Sequence, residues 1–230
     1  WSSDVCSSDL VHLISPKLDS IVHNSKILDA VESIIGKNIL VCSTTLFIKN
    51  PNEQGFVSYH QDAKYIGLEP HNWVTAWVAL TDSNENNGCM KMWPKSHLNI
   101  KDHNEKFNEG NLLTRGQTVE NVPEDKVKSI ELKAGQMSLH HPRVVHGSGI
   151  NKSNDRRIGF VIQSYIGTNV KQTLGKNSVQ VARGEDKYHY HEVIHRTNAL
   201  MSDESILLRK KENDHLQEIF YKGAKQKGSY

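Results

Sequence analysis

The chain contains 230 residues, of which 37% are hydrophobic and 23% are charged, with a formal net charge of +2. This size and composition favour one globular domain with a substantial core, and the near balance of charge favours neither nucleic acid nor a membrane surface as a partner. No apolar run reaches the roughly 18 residues that crossing a bilayer requires, so no membrane span is predicted.

The three cysteines, Cys6, Cys42 and Cys89, lie far apart and form no Cys-x-x-Cys pair. This spacing indicates neither a disulfide framework nor a cysteine zinc site, and it is typical of a protein kept in a reducing compartment. We therefore expect a cytoplasmic protein, and Cys42 is interpreted as a structural residue.

The first ten residues are unlike the rest of the chain. Residues 1–10 lack an initiator Met, are rich in Ser and Asp, and show no periodicity. They resemble translated adapter sequence, so we interpret them as a non-native segment and exclude them from the fold. We expect residues 11–230 to form a single domain and the native protein to extend further at its N-terminus.

The first regular element after this segment is a predicted helix over residues 26–35. Ser25 is a suitable N-cap and Gly36 a suitable stop signal. Four apolar residues share one face of this helix: Ile27, Val31, Ile34 and Ile35. The spacing of apolar residues indicates a second helix near the C-terminus, over about 203–221.

Between the two helices the residue pattern is typical of short strands. Six segments are rich in β-branched residues or alternate between apolar and polar side chains: 39–48, 55–59, 73–80, 130–132, 136–141 and 156–166. Residues 94–128 are polar and are predicted to run over the surface. Many short strands separated by turn signals predict a mainly β protein, a β-sandwich or jelly roll with peripheral helices.

The candidate site begins with a His-x-Asp step. His60 and Asp62 are two residues apart, which places both side chains on one face of an extended strand. A second imidazole from elsewhere would complete two histidines and one carboxylate on one side of a metal, the set that suits non-haem Fe(II) and oxygen chemistry. The alternative is a surface histidine beside a solvated aspartate, because the chain has 13 histidines.

Three downstream histidines compete for the third ligand position. His140 and His141 are adjacent on a predicted strand, so only one of them can point inward. His146 precedes Gly147-Ser148-Gly149, where the backbone can approach a bound ligand closely. We favour His146.

An ordered series of motifs carries a family resemblance. It consists of residues 59–62, 75–80, 87–90 with 94–97, and 146–157. Across about residues 38–168 the chain resembles the phytanoyl-CoA dioxygenase family. The resemblance implies a double-stranded β-helix (jelly-roll) core and an Fe(II)- and 2-oxoglutarate-dependent oxygenase. It also implies that His60, Asp62 and His146 bind the iron.

The same resemblance implies a pocket for 2-oxoglutarate. The basic residue eleven positions after the distal histidine, Arg157, corresponds to the one that holds the far carboxylate, and Ser148 corresponds to a hydroxyl that contacts the cosubstrate. Trp77 corresponds to a tryptophan lining this pocket, although a core role is the alternative. Arg157 could instead pair with Asp155 on the surface. Strand alternation allows only one of Arg156 and Arg157 to face the pocket, and we expect Arg156 to face solvent.

The resemblance further implies hydroxylation of a small organic substrate by O2, with release of succinate and CO2. Halogenating relatives replace the carboxylate ligand with Gly or Ala, so Asp62 favours hydroxylation over halogenation. A halogenase or desaturase on the same site, or a non-catalytic metal-binding jelly roll, are the alternatives. Neither the substrate nor the oligomeric state follows from the sequence.

Two further features remain open in the sequence. Gln61, between the two proposed ligands, either orients the site or acts as a spacer. His189, His191 and His195 form a second histidine-rich stretch, which we interpret as a lid or substrate wall rather than a metal site.

Overall fold

The structure is a computed structural model that describes residues 9–106, 108–113 and 115–224. Residues 1–8, most of the segment interpreted as non-native, lie outside the described residues. Asp9 and Leu10 pack against the fold, and the Leu10 amide donates to the Thr44 carbonyl at 2.7 Å. Within the described chain, no helix has the length and apolarity needed to cross a bilayer.

Three α-helices lie at the periphery: α1 (Pro16–Val22), α2 (Ser25–Ile35) and α3 (Asp203–Phe220). Helix α2 ends before Gly36 as predicted, but its N-cap is Asn24, one residue earlier than expected, because the Asn24 side chain accepts a hydrogen bond from the Lys26 amide. Ile34 was predicted to face the core and is 56% exposed. The buried stripe of the helix runs along Ile27, Leu28 and Val31.

Helix α3 confirms the predicted C-terminal helix within one residue at its end. It packs along one side only, since Ser205, Glu212 and Ile219 are buried at seven-residue intervals whereas Leu207 is 68% exposed. The Ser202 side chain caps its N-terminus by accepting a hydrogen bond from the Ser205 amide.

The larger of two principal sheets has seven strands. Six follow one another in space: β10 (Met137–His140), β5 (Trp73–Ala79), β12 (Arg157–Gly167), β1 (Ile39–Val41), β14 (Ser178–Arg183) and β15 (Glu192–Val193). The seventh, β2 (Thr44–Lys49), pairs antiparallel with the first half of β12, while β1 pairs with its second half. The predicted single strand over 39–48 is therefore two strands that share one partner.

The smaller sheet has four strands, in the order β3 (Val57–His60), β11 (Val145–Ser148), β6 (Met90–Trp93) and β9 (Lys128–Ile130). Two short ribbons complete the strands: β4 (Leu68–Glu69) with β13 (Lys171–Gln172), and β7 (Asn104–Glu105) with β8 (Gln117–Thr118). The β7–β8 ribbon belongs to the polar excursion predicted over 94–128. The mainly β, jelly-roll architecture with peripheral helices is confirmed.

The core is divided between the two faces of the large sheet. On the outer face, α1 and α2 pack against buried side chains such as Ile39, Val78 and Phe160. On the inner face, Trp77 and Val161 pack in one cluster with Met90 and Ile130 of the small sheet. Each such buried side chain contributes about 1.5–3 kcal/mol to folding. The space that remains between the sheets holds the candidate site.

Candidate active site

Two strands of the small sheet bring the proposed metal ligands together. His60 ends β3 and is the register partner of His146 on β11, and their ring centroids are 4.3 Å apart. The strand does not continue to Asp62, which instead starts a short 3-10 turn (Asp62–Lys64). Gln61 keeps an extended backbone, so the Asp62 carboxylate still returns to the same side.

The donor atoms of these three residues form a compact group. They lie within 4.8 Å of one another, and all three residues are buried. The distance from His60 Nε2 to Asp62 Oδ1 is 3.3 Å, and that from His146 Nε2 to the same oxygen is 3.9 Å. Among the described residues this is the only group of three or more potential ligands that meets this separation.

The tautomers of both histidines suit metal binding. His60 Nδ1 lies 2.9 Å from the Ser58 carbonyl oxygen, and His146 Nδ1 lies 3.0 Å from the Val144 carbonyl oxygen. A carbonyl can only accept, so each Nδ1 donates this bond, and each Nε2 is the nitrogen left on the Asp62 side to bind a metal. Backbone acceptors of this kind orient and strengthen histidine ligands. The residues present therefore fit a divalent transition metal.

The pKa values of His146 and Asp62 also favour metal binding. Burial and the neighbouring His60 ring lower the pKa of His146 to about 3, which keeps this imidazole neutral at physiological pH. Burial alone would raise the pKa of the Asp62 carboxyl, but contacts with the surrounding imidazoles hold it well below its usual range. A neutral His146 and an ionised Asp62 are the protonation states in which these two residues can bind a metal.

Gln61 orients the site rather than acting as a spacer. Its side chain is fully buried, and its amide donates to the carbonyls of Asn99 and Arg143 while its Oε1 accepts from the Lys101 amide at 2.7 Å. The Gln61 backbone amide donates to His103 Nε2 at 3.0 Å. These bonds lock the backbone between the two proposed ligands, a role that sequence spacing did not reveal for His103.

The three candidates for the third ligand are now distinguished by position. His146 joins the group, and His141 accepts a hydrogen bond from the Arg143 amide outside it. His140 faces inward from β10, with Nε2 3.8 Å from Asp62 Oδ2, and neither of its ring nitrogens has a hydrogen-bond partner in the described part of the chain. His140 thus lines the cavity beside the proposed ligands, and only one of the adjacent pair points inward, as the strand alternation predicts.

One cavity of about 580 Å³, including space open to solvent, extends from the proposed ligands to Arg157. Arg157 is 2% exposed, whereas Arg156, which directly precedes β12, is exposed to solvent as expected. Among the described residues no carboxylate, Asp155 included, lies within ion-pairing distance of Arg157. Its guanidinium donates to the Gly88 carbonyl and lies 5.4 Å from the centre of the Trp77 ring.

Trp77 belongs to both the core and the cavity wall. It is 5% exposed, packs against Val161 and Met90, and lines the cavity. Gly159 on the neighbouring strand makes room for it, since a Cβ at this position would collide with the indole ring. The absence of a side chain at Gly159 therefore positions the ring that lies beside Arg157.

Ser148 lines the same cavity and contacts a residue that the sequence did not reveal. Its Oγ accepts a hydrogen bond of 2.7 Å from the Nζ of Lys49, a fully buried lysine on β2. Lys49 is the register partner of Arg157. The one available signal, a lysine on the inner side of a strand pattern, is too common to be informative.

A second cavity of about 600 Å³, including space open to solvent, also reaches His60 and Asp62. It lacks Arg157 and is bordered by aromatic, aliphatic and amide side chains, among them Tyr65, Leu112, Gln117, Gln163 and Phe220. Phe47, Leu113 and Gln163 line both cavities. The proposed ligands therefore lie where two chambers of different chemistry meet.

The second histidine-rich stretch is attached to the fold through one residue, His191. His191 is buried, with Nε2 2.8 Å from the Val170 carbonyl oxygen and Nδ1 3.2 Å from Asn177 Oδ1. His189 and His195 are exposed. His191 therefore ties this segment to the strands beneath it.

Two sheets that enclose two histidines and a carboxylate, with an arginine at the far end of the cavity, define a jelly-roll protein with the ligand set of non-haem oxygenases. The sequence profile of the phytanoyl-CoA dioxygenase family (PhyH) matches residues 6–159, more than half of the chain. The chain belongs to this family, as its motifs predicted.

Individual proteins similar to this chain are consistent with the family match. The structure of ThoJ, described as a non-haem monooxygenase, matches with a TM-score of 0.81 and 32% identity, covering 93% of this chain and 79% of ThoJ. A probable alpha-ketoglutarate-dependent hypophosphite dioxygenase from Stutzerimonas stutzeri is 29% identical over 167 residues, 71% of this chain and 58% of that protein. Peroxisomal phytanoyl-CoA dioxygenase from Homo sapiens is 30% identical over 138 residues, 57% of this chain and 41% of that protein. The chain thus spans less than two thirds of the length of these two curated relatives.

Proposed function

We propose that this chain is an Fe(II)- and 2-oxoglutarate-dependent dioxygenase that hydroxylates a small organic substrate, with release of succinate and CO2. The observation that carries the proposal is the arrangement in one cavity of the buried His60–Asp62–His146 group and the buried Arg157. The triad supplies the ligands for the metal, and Arg157 supplies a cation that no described carboxylate satisfies.

Each group has a defined task. His60, Asp62 and His146 would hold the iron, which when bound couples the activation of O2 to the decarboxylation of 2-oxoglutarate. Arg157 binds the far carboxylate of the cosubstrate, because its planar fork matches a carboxylate with two hydrogen bonds. Trp77 covers the guanidinium and excludes water from this ion pair, which strengthens it.

The second chamber provides the substrate side. It reaches His60 and Asp62 without including Arg157, so a substrate there approaches the metal while the cosubstrate occupies the Arg157 side. Its border combines leucine, aromatic and amide side chains with the Asp9 carboxylate and the Thr45 hydroxyl, which suits a small amphipathic molecule.

Hydroxylation is favoured over halogenation because a carboxylate oxygen of Asp62 occupies the third ligand position. A halide ligand would need that position to be vacant. A non-catalytic module is disfavoured by Arg157, since a buried guanidinium without an anionic partner costs stability unless an anion binds it.

The test is an anaerobic titration of the protein with Fe(II) and 2-oxoglutarate, followed by measurement of succinate release across a substrate panel. We expect a visible metal-to-ligand charge-transfer band, and its absence from folded protein would contradict the assignment. Asp62→Ala should lose hydroxylation. An exposed-site control, Asp125→Ala, should retain both the band and hydroxylation. Hydroxylation that survives in Asp62→Ala would remove this carboxylate from the ligand set.

A further inference from the structure

Lys49 is a buried lysine whose position calls for an anion. It lies on the inner face of β2, on the same side as Phe47, and has no exposed surface. Its Nζ donates to Ser148 Oγ and to the Gly149 carbonyl. Both acceptors are neutral, so neither compensates its charge.

A second cation lies across the sheet from Lys49. Arg157 is its register partner on β12, is almost fully buried, and has an Nε without a hydrogen-bond partner. Among the described residues, no carboxylate lies within ion-pairing distance of either side chain. Two buried cations side by side are costly, and the cost is offset when an anion binds between or beside them.

The Ser148 hydroxyl connects Lys49 to the cavity. Lys49 has no acceptor lone pair when it is protonated, so it must donate to Ser148 Oγ. The hydroxyl hydrogen of Ser148 is then directed away from the lysine. Ser148 and Arg157 both line the cavity, whereas Lys49 lies behind Ser148. A hydroxyl polarised in this way is a stronger donor to an anion in the cavity.

We propose that Lys49 is a positioning residue for the far carboxylate of 2-oxoglutarate, which it stabilises through the Ser148 hydroxyl while adding its charge to that of Arg157. This inference rests on the proposed function of the site. It assigns the distal end of the cavity a buried pair of cations in place of a single arginine.

Charges around Lys49 are consistent with this assignment. Burial first, and then the charge of Arg157, lower the pKa of Lys49 to about 7, and Cys89 and Glu53 act weakly in the opposite direction. From β11 and the loop that follows it, only the uncharged Ser148 and Gly149 contact its Nζ. A carboxylate bound nearby favours the protonated lysine, so binding takes up a proton near neutral pH.

The experiment compares 2-oxoglutarate with pyruvate, a 2-oxo acid that shares the chelating end and lacks the far carboxylate. Binding to the Fe(II)-loaded protein is measured anaerobically for the wild type, Lys49→Met, Ser148→Ala and the double variant. Lys128→Met, at an exposed strand lysine, is the control. We expect Lys49→Met to weaken 2-oxoglutarate binding about tenfold and to leave pyruvate binding unchanged.

Three results separate the possibilities. Absence of 2-oxoglutarate binding in the wild type would refute the proposed function itself. Wild-type binding that Lys49→Met leaves unaltered, or an equal loss for both 2-oxo acids, would overturn the role of Lys49. The double variant should lose less than the product of the two single losses, because Lys49 acts through Ser148; independent effects would contradict that route.

Calorimetry in two buffers of different ionisation enthalpy gives an independent readout. The wild type should take up a proton on binding 2-oxoglutarate at pH near 7, and Lys49→Met should take up less. Equal proton uptake in both proteins would exclude Lys49 as the group whose protonation accompanies binding.

Discussion

Replacement of Arg157 by Met separates the binding role of this residue from any structural one. The guanidinium is 2% exposed and donates to the Gly88 carbonyl. Two charge-assisted hydrogen bonds to a carboxylate contribute roughly 1.5–3 kcal/mol each. Lys49 remains near the site and still attracts the carboxylate, so the expected loss of binding free energy is at the lower end, about 3 kcal/mol. This corresponds to roughly 100-fold weaker 2-oxoglutarate binding.

The folding stability of Arg157→Met should not fall along with its affinity for 2-oxoglutarate. Arg157 is a buried cation with no described carboxylate partner, and burial lowers its pKa to about 10. Exchange of such a group for an apolar side chain of similar length is often neutral or stabilising. We therefore expect the free energy of unfolding of the ligand-free variant to equal or exceed that of the wild type.

The assay is an anaerobic titration monitored by the charge-transfer band, paired with urea denaturation of the ligand-free protein. Arg156→Met is the matched control, because Arg156 is the exposed arginine that directly precedes Arg157. Equal losses of affinity in the two variants would show that the wrong arginine was assigned. A loss of binding in Arg157→Met that parallels a loss of stability would show a structural role instead.

Three other changes test the surroundings of the site. Gly159→Ala places a Cβ against Trp77, so the melting temperature should fall by the equivalent of about 1–3 kcal/mol, and an unchanged melting temperature would contradict the close approach of the indole ring to this strand. Gln61→Leu leaves buried backbone groups unpaired, and metal affinity should fall about tenfold or more; undiminished affinity would make Gln61 a spacer. Burial lowers the pKa of His12 to about 3 from its ordinary 6.5, so on acidification the unfolded chain binds a proton before the folded chain does. The free energy of unfolding should therefore fall as the pH drops below about 6.5, by up to about 1.4 kcal/mol per pH unit. Denaturation of His12→Gln across this range should show a shallower slope, and an identical slope would exclude His12 as its source.

Local periodicity explains why much of the architecture could be predicted. Alternation of side chains in a strand depends only on neighbouring residues, so it predicted β5, β12 and the opposite orientations of Arg156 and Arg157. Helical spacing likewise predicted α3. Prediction was less exact where contacts between distant parts of the chain decide. Ile34 is exposed because α2 packs against the core through Ile27, Leu28, Val31 and Ile35.

The sequence by itself determined the ordered series of motifs, and with it the family and the identity of the proposed ligands. Only the tertiary structure decided which side chains support them. The hydrogen bond between Lys49 and Ser148 joins residues 99 positions apart, and that between Gln61 and His103 joins residues 42 positions apart. No periodic pattern extends over such separations. Lys49 and Ser148 meet only when the two sheets pack, and Gln61 meets His103 only when the 94–128 excursion folds back to the end of β3. The position of Lys49 behind Ser148 and the hydrogen bonds that hold Gln61 are therefore decided by the tertiary structure.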